Sequence, residues 1–330
     1  MAVLRQLALV LVGVAILYGG LLAASLLVMG GAAPATIDTG GRVEDRLLFG
    51  LGPLAGGRRT VAILGASNVC DLPLEAIQSG LGGDTRVHNL CAGASNISQI
   101  DSVAQIVEDL LPAERRTRTT LVIGLWYGLF SDNQSRWHGF DNSVDQLRLR
   151  YSVLYRKQGG RVVRVLPPAL FPAAGYAMLP VRSFGALRQP AWGGRGYQPR
   201  LEGAERDKSF RERLERFNTE TMGARPNGAI LPEQFELLVS LVERLAGEGF
   251  TIALLDLPVA RWHKDNSLYF KTYQSMKMEY ISSLTRRGVH YIDMQDFDDD
   301  ASFADGVHLT SDAQDVLSPR LAARIKALPE

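Results

Sequence analysis

Two short clusters at opposite ends of the chain carry side chains that could act together. Gly65-Ala66-Ser67-Asn68 follows a β-branched run, and Phe303-Ala304-Asp305-Gly306-Val307-His308-Leu309-Thr310 precedes a helical stretch. In the first, a serine stands where a strand turns into a helix. The turn would project its hydroxyl into a crevice and aim its own backbone N–H at a developing oxyanion, and Gly65 permits the tight approach. Alone, a serine after a strand is commonly just a helix cap. The second cluster changes that reading. An acid three residues before a histidine on a tight loop lets the carboxylate orient the imidazole while the imidazole deprotonates a serine brought from elsewhere. The chemistry would be nucleophilic acyl transfer, with Ser67 as nucleophile, His308 as base and Asp305 as its orienter.

The elements that must position these groups alternate along the chain. Arg59 to Leu64, Arg86 to Leu90, Thr119 to Leu125, Thr251 to Leu257 and Val289 to Met294 read as strands. Between them, apolar residues at 97, 100, 103, 107, 110 and 111 mark one helix face closed by Pro112. Helical stretches also run from Pro232 to Ala246, Leu268 to Arg287 and Ser311 to Leu328. Such alternation predicts a mainly parallel five-stranded sheet covered on both faces, with reactive groups beyond the carboxyl ends of the strands.

Residues from about 136 to 230 interrupt this rhythm with seven prolines, a glycine-rich run at Gly194 to Gly196 and arginines among aromatics. This is an insertion, read either as a lid or partner surface or as an elaboration without chemistry. Its stretch from Val162 to Phe184 could rest on a membrane through apolar and basic residues. With 36 basic against 35 acidic residues and a formal charge of +1, nothing global points to nucleic acid. The chain is 46% hydrophobic and 22% charged, enough to bury a sizeable core.

The first 35 residues stand apart from any soluble fold. No side chain from Leu7 to Met29 is charged, and at about 1.5 Å per helical residue this run spans roughly 35 Å, enough for a bilayer core. Arg5 ahead of it leaves the N-terminus cytoplasmic and the rest outside, by the positive-inside tendency. An uncleaved signal anchor is the first reading. A signal peptide cut near Ala33, Pro34 and Ala35 is the alternative, and both export the main domain. Residues 36–57 follow as a tether, and 58–330 form the main domain.

Three segments carry a resemblance. Gly65-Ala66-Ser67-Asn68, Asn89-Leu90-Cys91-Ala92-Gly93-Ala94-Ser95-Asn96 and Ala304-Asp305-Gly306-Val307-His308-Leu309-Thr310 resemble blocks I, II and V of the SGNH/GDSL hydrolase superfamily, in the family's order. The resemblance spans residues 58 to 328. It implies a flavodoxin-like three-layer α/β/α sandwich, Ser67 as nucleophile, Asp305 and His308 as its partners, and an oxyanion hole from the Ser67 and Gly93 amides. A one-residue offset would move the second donor to Ala94. One departure matters: block III of the family reads Gly-x-Asn-Asp, whereas Gly124-Leu125-Trp126-Tyr127 stands here. Losing one oxyanion donor can cost on the order of 100- to 1000-fold in rate. Asn96, Tyr127 and Asn133 are the candidate stand-ins, and Trp126 and Tyr127 serve equally well as core or wall aromatics.

The anchor, the early serine block, the central elaboration and the closing Asp-Gly-x-His-Leu segment are together similar to lipoteichoic acid D-alanine transfer proteins. They are more loosely similar to SGNH-type O-acetyltransferases of exported polysaccharides. That likeness implies a polysaccharide or cell-envelope glycan as substrate and a membrane-bound O-acyltransferase or export complex as partner. It also implies an inner-membrane, periplasm-facing location.

Other residues complete the expectations. Asp256-Leu257-Pro258, with Arg261 and His263 beyond, ends the fourth strand and could bind substrate or be ordinary loop. The Asp298-Asp299-Asp300 run reads as a solvated acidic turn rather than a metal site. No Walker loop or dinucleotide fingerprint appears and two cysteines cannot form a zinc cluster, so neither cofactor nor metal is expected. Cys70 follows block I and Cys91 lies in block II, which the implied topology places alongside, so the two could bond in an oxidising compartment. Three function classes follow: a transferase on an exported glycan, a simple carbohydrate or lipid esterase, and a non-catalytic assembly factor.

Overall fold

The structure is a computed structural model. It describes residues 2–28, 59–70, 72–91, 95–131, 155–158, 161–170, 200–219 and 230–328, with 173, 177 and 180. The expected tether, the Ala33 to Ala35 segment and about half of the 162–184 stretch lie outside the described residues.

In chain order the elements are α1 (Ala2–Val28), β1 (Arg59–Leu64), α2 (Ser67–Cys70), α3 (Leu74–Leu81), β2 (Thr85–Asn89), α4 (Ile97–Leu110), α5 (Ala113–Arg116) and β3 (Thr119–Leu125). Then come β4 (Tyr155–Gln158), β5 (Arg161–Arg164), α6 (Gly203–Phe217), α7 (Pro232–Gly247), β6 (Thr251–Asp256), α8 (Arg261–Asn266), α9 (Phe270–Thr285), β7 (His290–Asp293) and α10 (Ser311–Lys326). The helix α1 has a 25-residue apolar span, Val3–Leu27, long enough to cross a bilayer and with its apolar side chains exposed.

Five strands form one parallel sheet in the order β2-β1-β3-β6-β7. Its central strands β1, β3 and β6 are largely apolar and buried on both faces, as cover by two helical layers requires. Val61, Ile63, Val122, Ala253, Leu255 and Ile292 face one layer, where Ile77 and Leu81 of α3 meet Leu317, Leu321 and Ile325 of α10. Ala62, Leu64, Leu121, Ile123, Ile252 and Leu254 face the other, packed by α4, α7 and α9 through residues such as Val103, Val107, Phe235, Leu241 and Leu284. The fold is therefore the expected α/β/α sandwich.

Local signals account for the helix ends. Asn96 closes a capping box on α4, accepting from the Gln99 amide at 3.3 Å while Gln99 Oε1 accepts from the Asn96 amide at 2.7 Å. Pro232 opens α7, where a missing N–H costs nothing, and the Thr310 hydroxyl caps α10.

The chain leaves β1 for β2 on one side and later returns to β3 on the other. That reversal creates a crevice at the carboxyl ends of β1 and β3. The inserted region contains more structure than its sequence suggests. β4 and β5 pair as an antiparallel hairpin held on α4, with Tyr155 Oη and Arg164 Nε donating to Asp109 Oδ2 at 3.0 and 2.7 Å. The helix α6 buries only Phe210, Leu214 and Phe217 among charged residues, so its apolar stripe is narrow. Residues spaced i, i+4 and i+7 were its only periodic signal.

Candidate active site

Ser67 begins α2 just past β1, and the turn is held from the end of β2. Asn89 Nδ2, at the end of β2, donates to the Val69 carbonyl at 2.7 Å, and Asn89 Oδ1 accepts from the Cys91 amide at 3.0 Å. A disulfide then joins Cys70 to Cys91, whose Cα atoms are 5.3 Å apart. The serine turn is thus tied covalently to the neighbouring strand's exit.

The second cluster folds as a tight loop after β7. An isolated bridge pairs Phe303 with Leu309, and the Ala304 amide donates to the His308 carbonyl at 2.9 Å. Gly306 turns the chain at φ 86°, a left-handed conformation that favours glycine. This turn lets Asp305 Oδ1 accept from the Val307 and His308 amides at 3.2 and 2.8 Å. The Ala260 amide donates to the Gly306 carbonyl at 2.9 Å, fastening the loop to the segment after β6.

These local bonds bring three side chains together across most of the sequence. His308 Nδ1 lies 2.8 Å from Asp305 Oδ2, and His308 Nε2 lies 2.9 Å from Ser67 Oγ. An ionised Asp305 accepts the Nδ1 proton, which leaves Nε2 as the acceptor facing the serine hydroxyl. Burial alone would raise the Asp305 carboxyl, but the charge and hydrogen bond of His308, the nearby Arg213 and the His308 amide outweigh it. They hold the carboxyl well below the usual carboxylate range. The orienting group therefore stays charged at neutral pH. The arrangement can deprotonate a serine and return the proton to a leaving group.

The inserted helix α6 also reaches this loop, which the sequence did not suggest. Ser209 Oγ donates to the Ala304 carbonyl at 2.9 Å, and Arg213 Nε stands 3.5 Å from Asp305 Oδ2. Farther along α6, Phe217 packs on Trp126 and Tyr127 with ring centroids 5.2 and 4.9 Å apart. The helix spans the rim from the aspartate loop to the end of β3. This helix of the insertion therefore packs against the site's rim.

The other expected site residues divide. Asn96 is buried as the cap of α4, with its side-chain oxygen committed to the Gln99 amide. Gly93, the alternative Ala94, and Asn133 lie outside the described residues. Tyr127 is fully buried among Trp126, Phe217, Phe270 and Tyr273, and its hydroxyl is bonded to His263 Nε2. A stand-in oxyanion donor or substrate contact at Tyr127 is therefore corrected in favour of the core reading: the ring is core, and its hydroxyl serves a histidine. Burial lowers the His263 imidazole to about 4, with Asp305 raising it and Arg213 lowering it less strongly.

Asp256 is corrected as well. It is fully buried, paired with Lys277, and accepts from Tyr291 Oη at 2.6 Å and Tyr273 Oη at 3.2 Å. Its oxygens are occupied within the core and have no open face toward a ligand. Arg261 is exposed, with its guanidinium 2.9 Å from Asp298 Oδ1. The acidic turn is internal scaffolding: Asp298 also meets Lys264 at 3.2 Å, Asp299 caps the next turn, and Asp300 Oδ1 accepts from the Trp262 amide at 2.9 Å. Trp126 stands where the block III asparagine would be. It is 3% exposed, and its indole N–H has no hydrogen-bond partner among the described residues.

No protein-family description matches the chain, and no curated protein matches it. Among solved structures it is similar to a candidate arylesterase from Agrobacterium tumefaciens, at 14% identity and a TM-score of 0.38, over 82% of this chain and 100% of that one. A candidate acylhydrolase from Bacteroides fragilis is similar at 13% identity and a TM-score of 0.41, over 86% of this chain and 96% of that one. Likeness this remote leaves the chemistry to be argued from the side chains.

Proposed function

We propose that this chain is a membrane-anchored, extracytoplasmic serine acyl-transfer enzyme that moves an acyl group to or from a hydroxyl of an exported polysaccharide or cell-envelope glycan. The observation that carries the reading is the continuous Asp305, His308, Ser67 hydrogen-bonded chain, with links of 2.8 and 2.9 Å. His308 Nε2 takes the Ser67 proton as Oγ attacks the ester carbonyl, and Asp305 holds the Nδ1 proton in place. The tetrahedral oxyanion is received by the Ser67 amide, with Gly93 and the Asn96 side chain as further donors. Collapse breaks the bond to the alcohol, which leaves with the proton from Nε2, and an acyl-Ser67 remains. A glycan hydroxyl or water then gives its proton to Nε2 and attacks the acyl carbon, and Nε2 passes that proton to Oγ as the acyl bond to Ser67 breaks.

Two independent features support an exported location. The helix α1 is long and apolar enough to span a membrane, with Arg5 at its start, and the Cys70 to Cys91 disulfide suits an oxidising compartment. A membrane-bound acyl donor protein would be a natural partner for an anchored transferase.

Simple ester hydrolysis is the second reading, favoured by the solvent contact that Ser67 and His308 both retain. Labelling with a fluorophosphonate tests both: Ser67 should react, and Ser67→Ala should abolish the adduct. Acetate release from an activated ester, with and without an oligosaccharide acceptor, then separates transfer from hydrolysis. An unreactive Ser67 in folded protein would leave only an anchored assembly factor.

A further inference from the structure

Arg213 is a charged residue on this rim whose hydrogen-bond donors the acyl-transfer cycle does not use. It comes from the inserted helix α6, and its side chain is only 14% exposed. A guanidinium carries five donors and cannot shed its charge, so it is rarely withdrawn from water without hydrogen bonds. Here Nε is buried and has no hydrogen-bond partner among the described residues. Its ion-pair contact among the described residues is with Asp305 Oδ2, at 3.5 Å, too long for a hydrogen bond.

Asp305 feels its charge but does not need its hydrogen bonds. That carboxylate already accepts from His308 Nδ1 and from the Val307 and His308 amides. The nearby His263 is neutral at ordinary pH, so it supplies no countercharge. What remains is a preorganised cation beside the reactive chain, with unused donors on a fork that matches the two oxygens of a carboxylate or phosphate.

We infer that Arg213 binds an anionic group, a carboxylate or a phosphate, carried by the polymer near the ester that Ser67 attacks. The inference rests on the acyl-transfer reading for the identity of the reacting bond, and on the geometry of Arg213 for the anion. It narrows the substrate from glycans in general to acidic ones: uronate-containing chains if the anion is a carboxylate, polyol-phosphate chains if it is a phosphate. It also gives the insertion a purpose, since α6 delivers this cation to the rim that carries Asp305.

Binding to the Ser67→Ala protein tests this without any requirement for turnover. Calorimetry would compare three acetylated oligomers of matched length: an oligouronate, a glycerol-phosphate oligomer and a neutral glucan. One anionic oligomer is expected to bind at least about 10-fold more tightly than the glucan, and which one does so identifies the anion. Adding Arg213→Gln should erase that difference, whereas Arg213→Lys, which keeps the charge but not the fork, should retain part of it. Melting curves establish that each variant is folded. Equal binding of all three oligomers, no binding of any, or a preference untouched by Arg213→Gln would each overturn the inference. Fluorophosphonate labelling of the unmodified protein reports on the parent reading separately.

Discussion

Gly65 and Gly124 stand side by side at the ends of β1 and β3, and one side chain keeps both of them bare. A Cβ on Gly65 would lie 2.4 Å from Val69 Cγ2, and one on Gly124 would lie 2.5 Å from the same methyl. Val69 is buried in the turn that carries Ser67, and its β-branched side chain has little freedom to move aside. The two glycines therefore fix how closely the serine turn sits on the sheet. A misplacement of about 1 Å can cost about 100-fold in rate. Gly65→Ala is expected to slow fluorophosphonate labelling of Ser67 by about 10-fold or more. Adding Val69→Ala, which removes the obstructing methyl, should recover most of the loss. A double variant as slow as the single one would refute this account of the turn.

Stability is expected to fall on mild acidification because of His263 and His88. Burial holds each imidazole at about 4, against an ordinary value of 6.5. Between those values the unfolded chain binds protons that the folded chain refuses, so the contribution of each is complete above about 6.5 and is lost as pH falls toward 4. Melting temperature followed from pH 7 to pH 4 should decline through that window. His263→Gln should flatten part of the decline, with the remainder due to His88. A slope unchanged in that variant would count against a buried neutral His263.

The Cys70 to Cys91 bond closes a loop with a sequence separation of 21. Chain-entropy arguments assign such a loop about 3 kcal/mol. Because the bond joins the helix of the nucleophile to the exit of β2, its loss should act on the site as well as on stability. The double variant Cys70→Ser with Cys91→Ser is expected to melt several degrees lower and to label more slowly at Ser67. Non-reducing mass analysis that finds two free thiols in exported protein would contradict the pairing.

Elements whose signals are local and repeated were legible in the sequence. β1 and β3 lie where their β-branched runs predict, and α4 follows from apolar residues three and four apart. The serine and the aspartate–histidine loop could be located because glycine-bearing turns mark them. What escaped was set by long-range packing. The roles of Arg213 and Ser209 follow from where a mostly charged helix docks, and its three apolar residues do not encode that position. Tyr127 lies just past β3 and Asp256 ends β6, strands whose ends approach the crevice, which suggested a part in the site. Backbone position alone does not tell whether a side chain turns outward or into the core, and both turn into the core.

Asp256 supports the sharpest stability expectation. Its charge is fully buried and balanced by Lys277, itself only 2% exposed, with Tyr273 and Tyr291 donating to the same carboxylate. Removing one member of a buried ion pair strands the other charge in a poor solvent, which typically costs about 3 to 5 kcal/mol. Asp256→Asn keeps the shape but not the charge, so Lys277 must either carry an unpaired charge or give up its proton. Denaturant unfolding should register a loss of that size. Lys277→Met in the same background removes the stranded ammonium and is expected to restore part of the stability. If Asp256→Asn proved as stable as the unmodified protein, the pair would be a passive feature of the core, and its burial would need another explanation.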